Sequence, residues 1–144
     1  MQKNNDVLVL NAIYRGAETG AQAISDLMPK AEDTAFRAEL DAQAREFRSI
    51  ASEAAVQLAG LNASPKPVGY AKKTGMKMAV EMNAMADPDL SHYAEMMIKG
   101  SHMGILNMTK VMNDYAEPRP EIRELGDRLI KAEQQHVEQL KKYL

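Results

Sequence analysis

Residues 61–87 read LNASPKPVGYAKKTGMKMAVEMNAMAD, and this connector between two helical hairpins decides which helical fold the chain can form. Its first part contains Pro65 and Pro67, and its second part is a weaker helical pattern rich in Lys and Met. Each flanking helix spans roughly 36–42 Å at 1.5 Å per residue, so a connector of this length can run along the whole bundle. Simple up-down-up-down bundles have short loops throughout, so the sequence favours a bundle with one long crossover. A five-helix up-down bundle is the alternative if the connector packs as a full helix.

Four long helices are predicted around this connector, at about residues 5–28, 33–60, 88–113 and 119–143. In each of them apolar residues recur every three or four positions, which is the pattern of a helix with one buried face. Pro29 closes the first helix, and Pro88 suits the first turn of the third. Short turns within each pair predict two antiparallel hairpins. The fold prediction is an all-α, antiparallel four-helix bundle with an extra helix in the crossover.

The composition agrees with one helical domain covering residues 1–144. Hydrophobic residues make up 45% of the chain and charged residues 26%, which is typical of a folded globular protein. Ala, Met, Leu, Glu, Gln and Lys are abundant, and these residues favour helices over strands. The formal charge of −2 gives no basic excess, so we expect no nucleic-acid partner.

Two absences in the sequence narrow the possible chemistry. The chain has no Cys, which excludes a disulfide scaffold, a Cys-ligated metal and a thiol nucleophile. The apolar run from Val7 to Leu10 is too short for a signal peptide or a membrane span. We therefore expect a cytoplasmic protein that does not associate with membranes.

Polar residues on the predicted core-facing stripes are the candidates for function, because burying an unpaired polar group costs ~1–3 kcal/mol. Counting residues from the two hairpin turns places such residues of all four helices near mid-height, within about one helical turn. The candidates are Glu18 on the first helix, Gln43 and Glu46 on the second, Glu95 and His102 on the third, and Glu133 and His136 on the fourth. A single polar layer across the middle of the bundle is therefore predicted.

This arrangement resembles the ferritin-like superfamily of four-helix carboxylate proteins. In that family a Glu from each of two helices and a Glu-x-x-His from each of the other two bind two iron or manganese ions. Glu18 and Glu95 match the single Glu residues, and Glu133 with His136 matches one Glu-x-x-His. The resemblance implies a ferritin-like metal-binding protein, an oxidase or an iron-handling protein, with an iron or manganese site at mid-bundle.

The second predicted helix departs from the family pattern, because neither the run from Gln43 to Glu46 nor the residues after it supply a His. His102 is the candidate replacement for the missing imidazole, and Gln43 is a variant ligand. One metal ion, or none, is equally compatible with these residues. Other interpretations stay open: Gln43 as a buried amide, Glu46 as the partner of a neighbouring Arg, and Glu133 on a solvated flank.

The alternative function is a metal-free structural or protein-interaction bundle. The stretch from Leu40 to Pro65 resembles a helix and following turn of spore-coat ferritin-like proteins of the coat F type, which would imply an assembly role. Nine of the 11 Met residues lie between Met76 and Met112, where core or interface packing is favoured over copper binding. We expect a homo-oligomer formed through helix faces.

Two Gly-x-x-x-Gly spacings also stand out, at Gly16 and Gly20 and at Gly100 and Gly104. Small residues four positions apart lie on one face of a helix and permit close contact with a neighbouring helix. Outside a membrane this pattern predicts packing and no particular chemistry.

Overall fold

The structure, a computed structural model, describes residues 2–115 and 117–144, and in these ranges it contains helices and no strands. The long helices are α1 (Gln2–Leu27), α2 (Thr34–Gly60), α3 (Tyr70–Ala86), α4 (Leu90–Asp114) and α5 (Pro120–Leu140), with short 3-10 turns at Met28–Lys30 and Lys141–Tyr143. The all-α prediction is confirmed. α3 lies in the stretch predicted as the connector. No helix in the described ranges is long and apolar enough to cross a membrane.

Local sequence signals account for several helix ends. Asp33 precedes α2, and its side chain accepts a hydrogen bond from the Phe36 amide at 2.8 Å, which satisfies an amide that has no partner within the helix. Pro120 begins α5, where its missing amide hydrogen breaks no helical hydrogen bond. Asn62 adopts a φ of 57° just after α2, and this left-handed conformation ends the helix.

Four of the helices surround a shared apolar core. α1 lies against α2 and α4, and α5 lies against the same two helices. The Asp6 carboxylate, near the start of α1, forms an ion pair with Arg119, just before α5. The Phe36 ring, near the start of α2, packs edge-on against Tyr143, which follows α5. α1 and α5 therefore run in one direction, and α2 runs in the other.

The segment between α2 and α4 is attached to α1. Asn11 Oδ1 accepts a hydrogen bond from the Lys66 amide at 2.8 Å, and Glu18 Oε1 accepts one from the Val68 amide at 3.4 Å. α3 packs against the same helix. Ala84 is the buried residue of α3 in the described structure, so most of the surface of this helix faces solvent.

Candidate functional site

A cavity of about 290 Å³ lies between α1 and α4, with α2 and α5 behind it and the connector beside it. Apolar side chains form much of its wall, including Ile24, Phe47, Met97, Met108 and Leu129. Polar groups from all five long helices also line it, among them Arg15, Gln43, Lys72, Ser101 and Glu133. A mostly apolar recess with a few convergent polar groups is the usual form of a small-molecule site.

Both Gly-x-x-x-Gly pairs line this cavity. A Cβ at Gly20 would lie 2.6 Å from the Phe47 ring, and one at Gly104 would overlap the Glu133 carboxylate. Gly100 also lines the cavity and has no atom within 4 Å of the place where a Cβ would lie. The glycines therefore do more than permit close helix contact: they let side chains of α2 and α5 lie against the backbones of α1 and α4, and they leave space open.

Glu133 is the most unusual residue of the site. It lies on α5, is only 5% exposed, and lines the cavity with its carboxylate against Gly104 of α4. Burial raises the pKa of Glu133 to about 7, although a hydrogen bond with Ser101 opposes the rise. Within the described residues, no Lys, Arg or His nitrogen lies within 4.0 Å of this carboxylate. At neutral pH the group therefore exists in both protonation states, in a mostly apolar setting.

His136 follows Glu133 by one turn of α5 but faces α2. Its ring packs edge-on against Phe47, with the ring centroids 4.8 Å apart and an interplanar angle of 82°. Burial lowers the pKa of His136 to about 4, so the imidazole is neutral at pH 7. Its Nδ1 atom is buried without a hydrogen-bond partner in the part of the chain that the structure describes. His136 does not belong to the described lining of the cavity, whereas Phe47 does.

Gln43 is the other predicted site residue that the structure places at the cavity. The side chain is buried, and its Nε2 donates to Glu39 Oε2 over 3.4 Å. This agrees with a buried amide on the core-facing stripe of α2. Gln43 and Glu133 thus border one cavity from two helices.

The remaining candidate carboxylates are each paired with a cation. Lys73 Nζ lies 2.9 Å from Glu18 Oε1, Arg128 Nε donates to Glu46 Oε1 at 3.1 Å, and Lys99 Nζ lies 2.8 Å from Glu95 Oε1. Burial raises the pKa of Glu18, but hydrogen bonds with Lys73 and Tyr14 outweigh it and hold the pKa below its usual value. The hydrogen bond with Lys99 likewise holds the pKa of Glu95 below its usual value.

The seven predicted site residues do not form one polar layer in the structure. His102 is exposed, and Glu95 faces solvent beside Lys99. Among the residues described, no group of three or more His, Asp or Glu side chains is placed to hold a metal ion. The residues present therefore do not fit the dinuclear centre that the family resemblance implies. Counting residues from the hairpin turns estimates the height of each residue along the bundle, but it does not give the direction in which each side chain points.

Several residues of the cavity were not predicted as functional. They are Phe47, Ser101 and the four glycines of the two spaced pairs. The glycine spacing was the available signal, because it marks one face of α1 and one face of α4. No sequence signal marks Ser101 as a cavity residue, because a Ser inside a helix is common.

Fold and cavity together define an all-α protein with a buried carboxyl group in a recess between helices. Comparisons of the chain with protein-family models, with curated proteins and with solved structures find no match.

Proposed function

We propose that this chain is a ferritin-like helical bundle that binds a small, largely apolar molecule in the cavity between α1 and α4. Helix neighbours support the fold: α1 and α5 run in one direction, each lies against α2 and α4, and a long connector joins α2 to α4. One long crossover between two hairpins is the connectivity of ferritin-like bundles.

The observation that carries the proposed function is the Glu133 carboxyl group at the wall of an apolar cavity. A buried carboxylate with a structural role is normally paired with a cation, as Asp6 is with Arg119. Glu133 has a Ser101 hydroxyl instead. A buried group with a strongly shifted pKa in a recess marks a candidate binding site. The volume of about 290 Å³ lies just below the roughly 300–1,000 Å³ found for ligand pockets, which favours a small ligand.

An iron or manganese site is less well supported than a pocket for an organic ligand. Glu133 and His136 are buried neighbours on α5, and the unpartnered Nδ1 of His136 is the one feature in favour of a ligand role. They face different helices, however, and Glu18, Glu46 and Glu95 already have cationic partners. A metal bound here would have to displace those ion pairs.

A substitution that places a side chain in the cavity without causing a clash tests the proposed function. Gly100 borders the cavity and has no atom near its missing Cβ, so Gly100→Leu inserts a side chain into free space. Gly75, in α3, is equally free of neighbours and lies outside the described lining, so Gly75→Leu is the matched control. We expect calorimetric titration with 1-octanol to give saturable binding to the parent and the control. Affinity should fall about tenfold or more for Gly100→Leu. Equal affinity in all three proteins, or no binding to the parent, contradicts the proposal.

A role as an interaction bundle is the second candidate, and the exposed Met residues of α3 favour it. Met78, Met82 and Met85 are 57%, 67% and 69% exposed and recur at helical spacing. Light scattering tests this: a homo-oligomer in the parent that becomes a monomer in Met82→Glu supports association through this face. A monomeric parent contradicts it.

A further inference from the structure

We infer that the ligand of this cavity is an amine on an elongated apolar body, bound with its ammonium group against Glu133. This inference rests on the proposed function and adds the chemical class of the ligand.

The first support is the position of the carboxylate. Gly104 has no side chain, and the Glu133 carboxylate occupies the space where one would lie, against α4 and at the cavity wall. An ammonium group has three N–H donors and no acceptor, so it needs several acceptors close together. Ser101 lies within hydrogen-bonding reach of Glu133, and Gln43 also lines the cavity. A carboxylate and a hydroxyl oxygen therefore lie side by side for one ammonium group.

The second support is the charge at the buried end of the site. No cationic nitrogen of the described residues lies within 4.0 Å of the Glu133 carboxylate, so no ion pair in that part of the chain neutralises its negative charge. A bound ammonium ion supplies the missing positive charge in a setting of low dielectric constant, where a charge-assisted hydrogen bond is strongest. An ordinary alcohol offers one donor and no charge.

The shape of the cavity indicates the form of the apolar part of the ligand. Its lining on α1 runs from Ala12 to Ile24, which corresponds to roughly 18 Å along a helix. Phe47, Met97 and Leu129 provide apolar surface along that length. The site therefore fits an extended alkyl or arylalkyl group better than a compact polar molecule.

Arg15 and Lys72 also line the cavity, and their positive charges make an anionic ligand the competing possibility. Both side chains are exposed, so water and salt screen their charges, whereas Glu133 is 5% exposed. A ligand carboxylate could approach these two cations at the surface. The buried position of Glu133 gives the ammonium contact the greater electrostatic effect.

Three probes of matched chain length separate these cases: octylamine, 1-octanol and octanoate, titrated calorimetrically into the parent. Glu133→Gln removes the charge and keeps the shape. Glu138→Gln, an exposed site on the same helix, is the control. We expect octylamine to bind the parent about tenfold or more tightly than 1-octanol. Glu133→Gln should remove that preference for octylamine over 1-octanol, whereas Glu138→Gln should retain it.

Each other outcome is decisive. Equal affinity for octylamine and 1-octanol, or a preference for octylamine that survives in Glu133→Gln, overturns the amine inference while leaving the proposed cavity function standing. Tighter binding of octanoate than of octylamine overturns it in favour of the Arg15 and Lys72 surface. Failure of all three probes to bind contradicts the proposed function itself.

Discussion

Replacing Glu133 by Gln should stabilise the protein at neutral and alkaline pH and leave it almost unchanged in acid. The reason is that burial raises the pKa of Glu133 from its ordinary 4.5 to about 7 in the folded protein. The unfolded carboxyl group loses its proton near pH 4.5, whereas the folded one retains it up to about pH 7. Between these values the carboxyl group binds fewer protons in the unfolded state, so the contribution of Glu133 to stability falls as the pH rises.

The size of this effect follows from the two pKa values. The gap between about 7 and 4.5 corresponds to a loss of about 3 kcal/mol, complete above pH 7. Gln cannot ionise, and its amide can still hydrogen-bond with Ser101. The free energy of unfolding of Glu133→Gln therefore does not include this loss. Other groups that titrate, including His136, are shared by both proteins and cancel in the comparison.

Urea unfolding followed by circular dichroism at several pH values between about 4.5 and 8.5 measures this directly. The free energy of unfolding of Glu133→Gln minus that of the parent should rise by about 3 kcal/mol across the series. Glu138→Gln is the control: its carboxylate is exposed beside Lys141, and it should change stability little at any pH. A difference that does not vary with pH would refute the claim that the buried Glu133 carboxyl group carries a raised pKa.

Three further predictions use other parts of the site. Gly104→Ala should destabilise the protein by about 1–3 kcal/mol, because the new Cβ displaces the Glu133 carboxylate. Gly100→Ala is the control and should be neutral or stabilising, since its Cβ meets no other atom. Similar melting temperatures for the two variants would contradict this. His136 should destabilise the parent by up to about 3 kcal/mol as the pH falls from about 6.5 to 4, because burial lowers its pKa and the unfolded state takes up a proton first. Since the Glu133 contribution has the opposite sign over nearly the same range, the measured quantity is the free energy of unfolding of His136→Phe minus that of the parent, from urea titrations; it should rise as the pH falls, and a difference independent of pH would contradict the lowered pKa. Anaerobic addition of Fe(II) or Mn(II) should leave the melting temperature unchanged, and a diferric absorption band after exposure to air would instead support a dinuclear centre.

The helices of this protein could be predicted because apolar periodicity reports directly on which side of a helix is buried. Leu10, Ile24, Leu40 and Leu129 lie on the predicted stripes and are buried in the structure. Breakers and caps such as Pro29 and Asp33 add to that signal. These are properties of single helices, so a single sequence is enough to find them.

The site was predicted only in part, because it depends on how the helices are rotated relative to one another. The core-facing stripe of α5 made Glu133 a candidate, and the structure buries its side chain. Glu18 and Glu46 have suitable heights, but Lys73 and Arg128 from other elements pair with them. Such partners depend on contacts between residues far apart in sequence, which periodicity does not report. The cavity likewise depends on how α1 and α4, both of which line it with glycines, lie relative to each other.

The cavity is tested most directly by the amide spectrum of the glycines, which resonate in a distinct region of a nitrogen–proton NMR map. On titration with 1-octanol, we expect progressive shifts for Gly16, Gly20, Gly100 and Gly104, which line the cavity. Gly60 and Gly75, which lie outside its described lining, should not move. Shifts confined to Gly75 and the rest of α3, or no shifts at all, would contradict binding between α1 and α4.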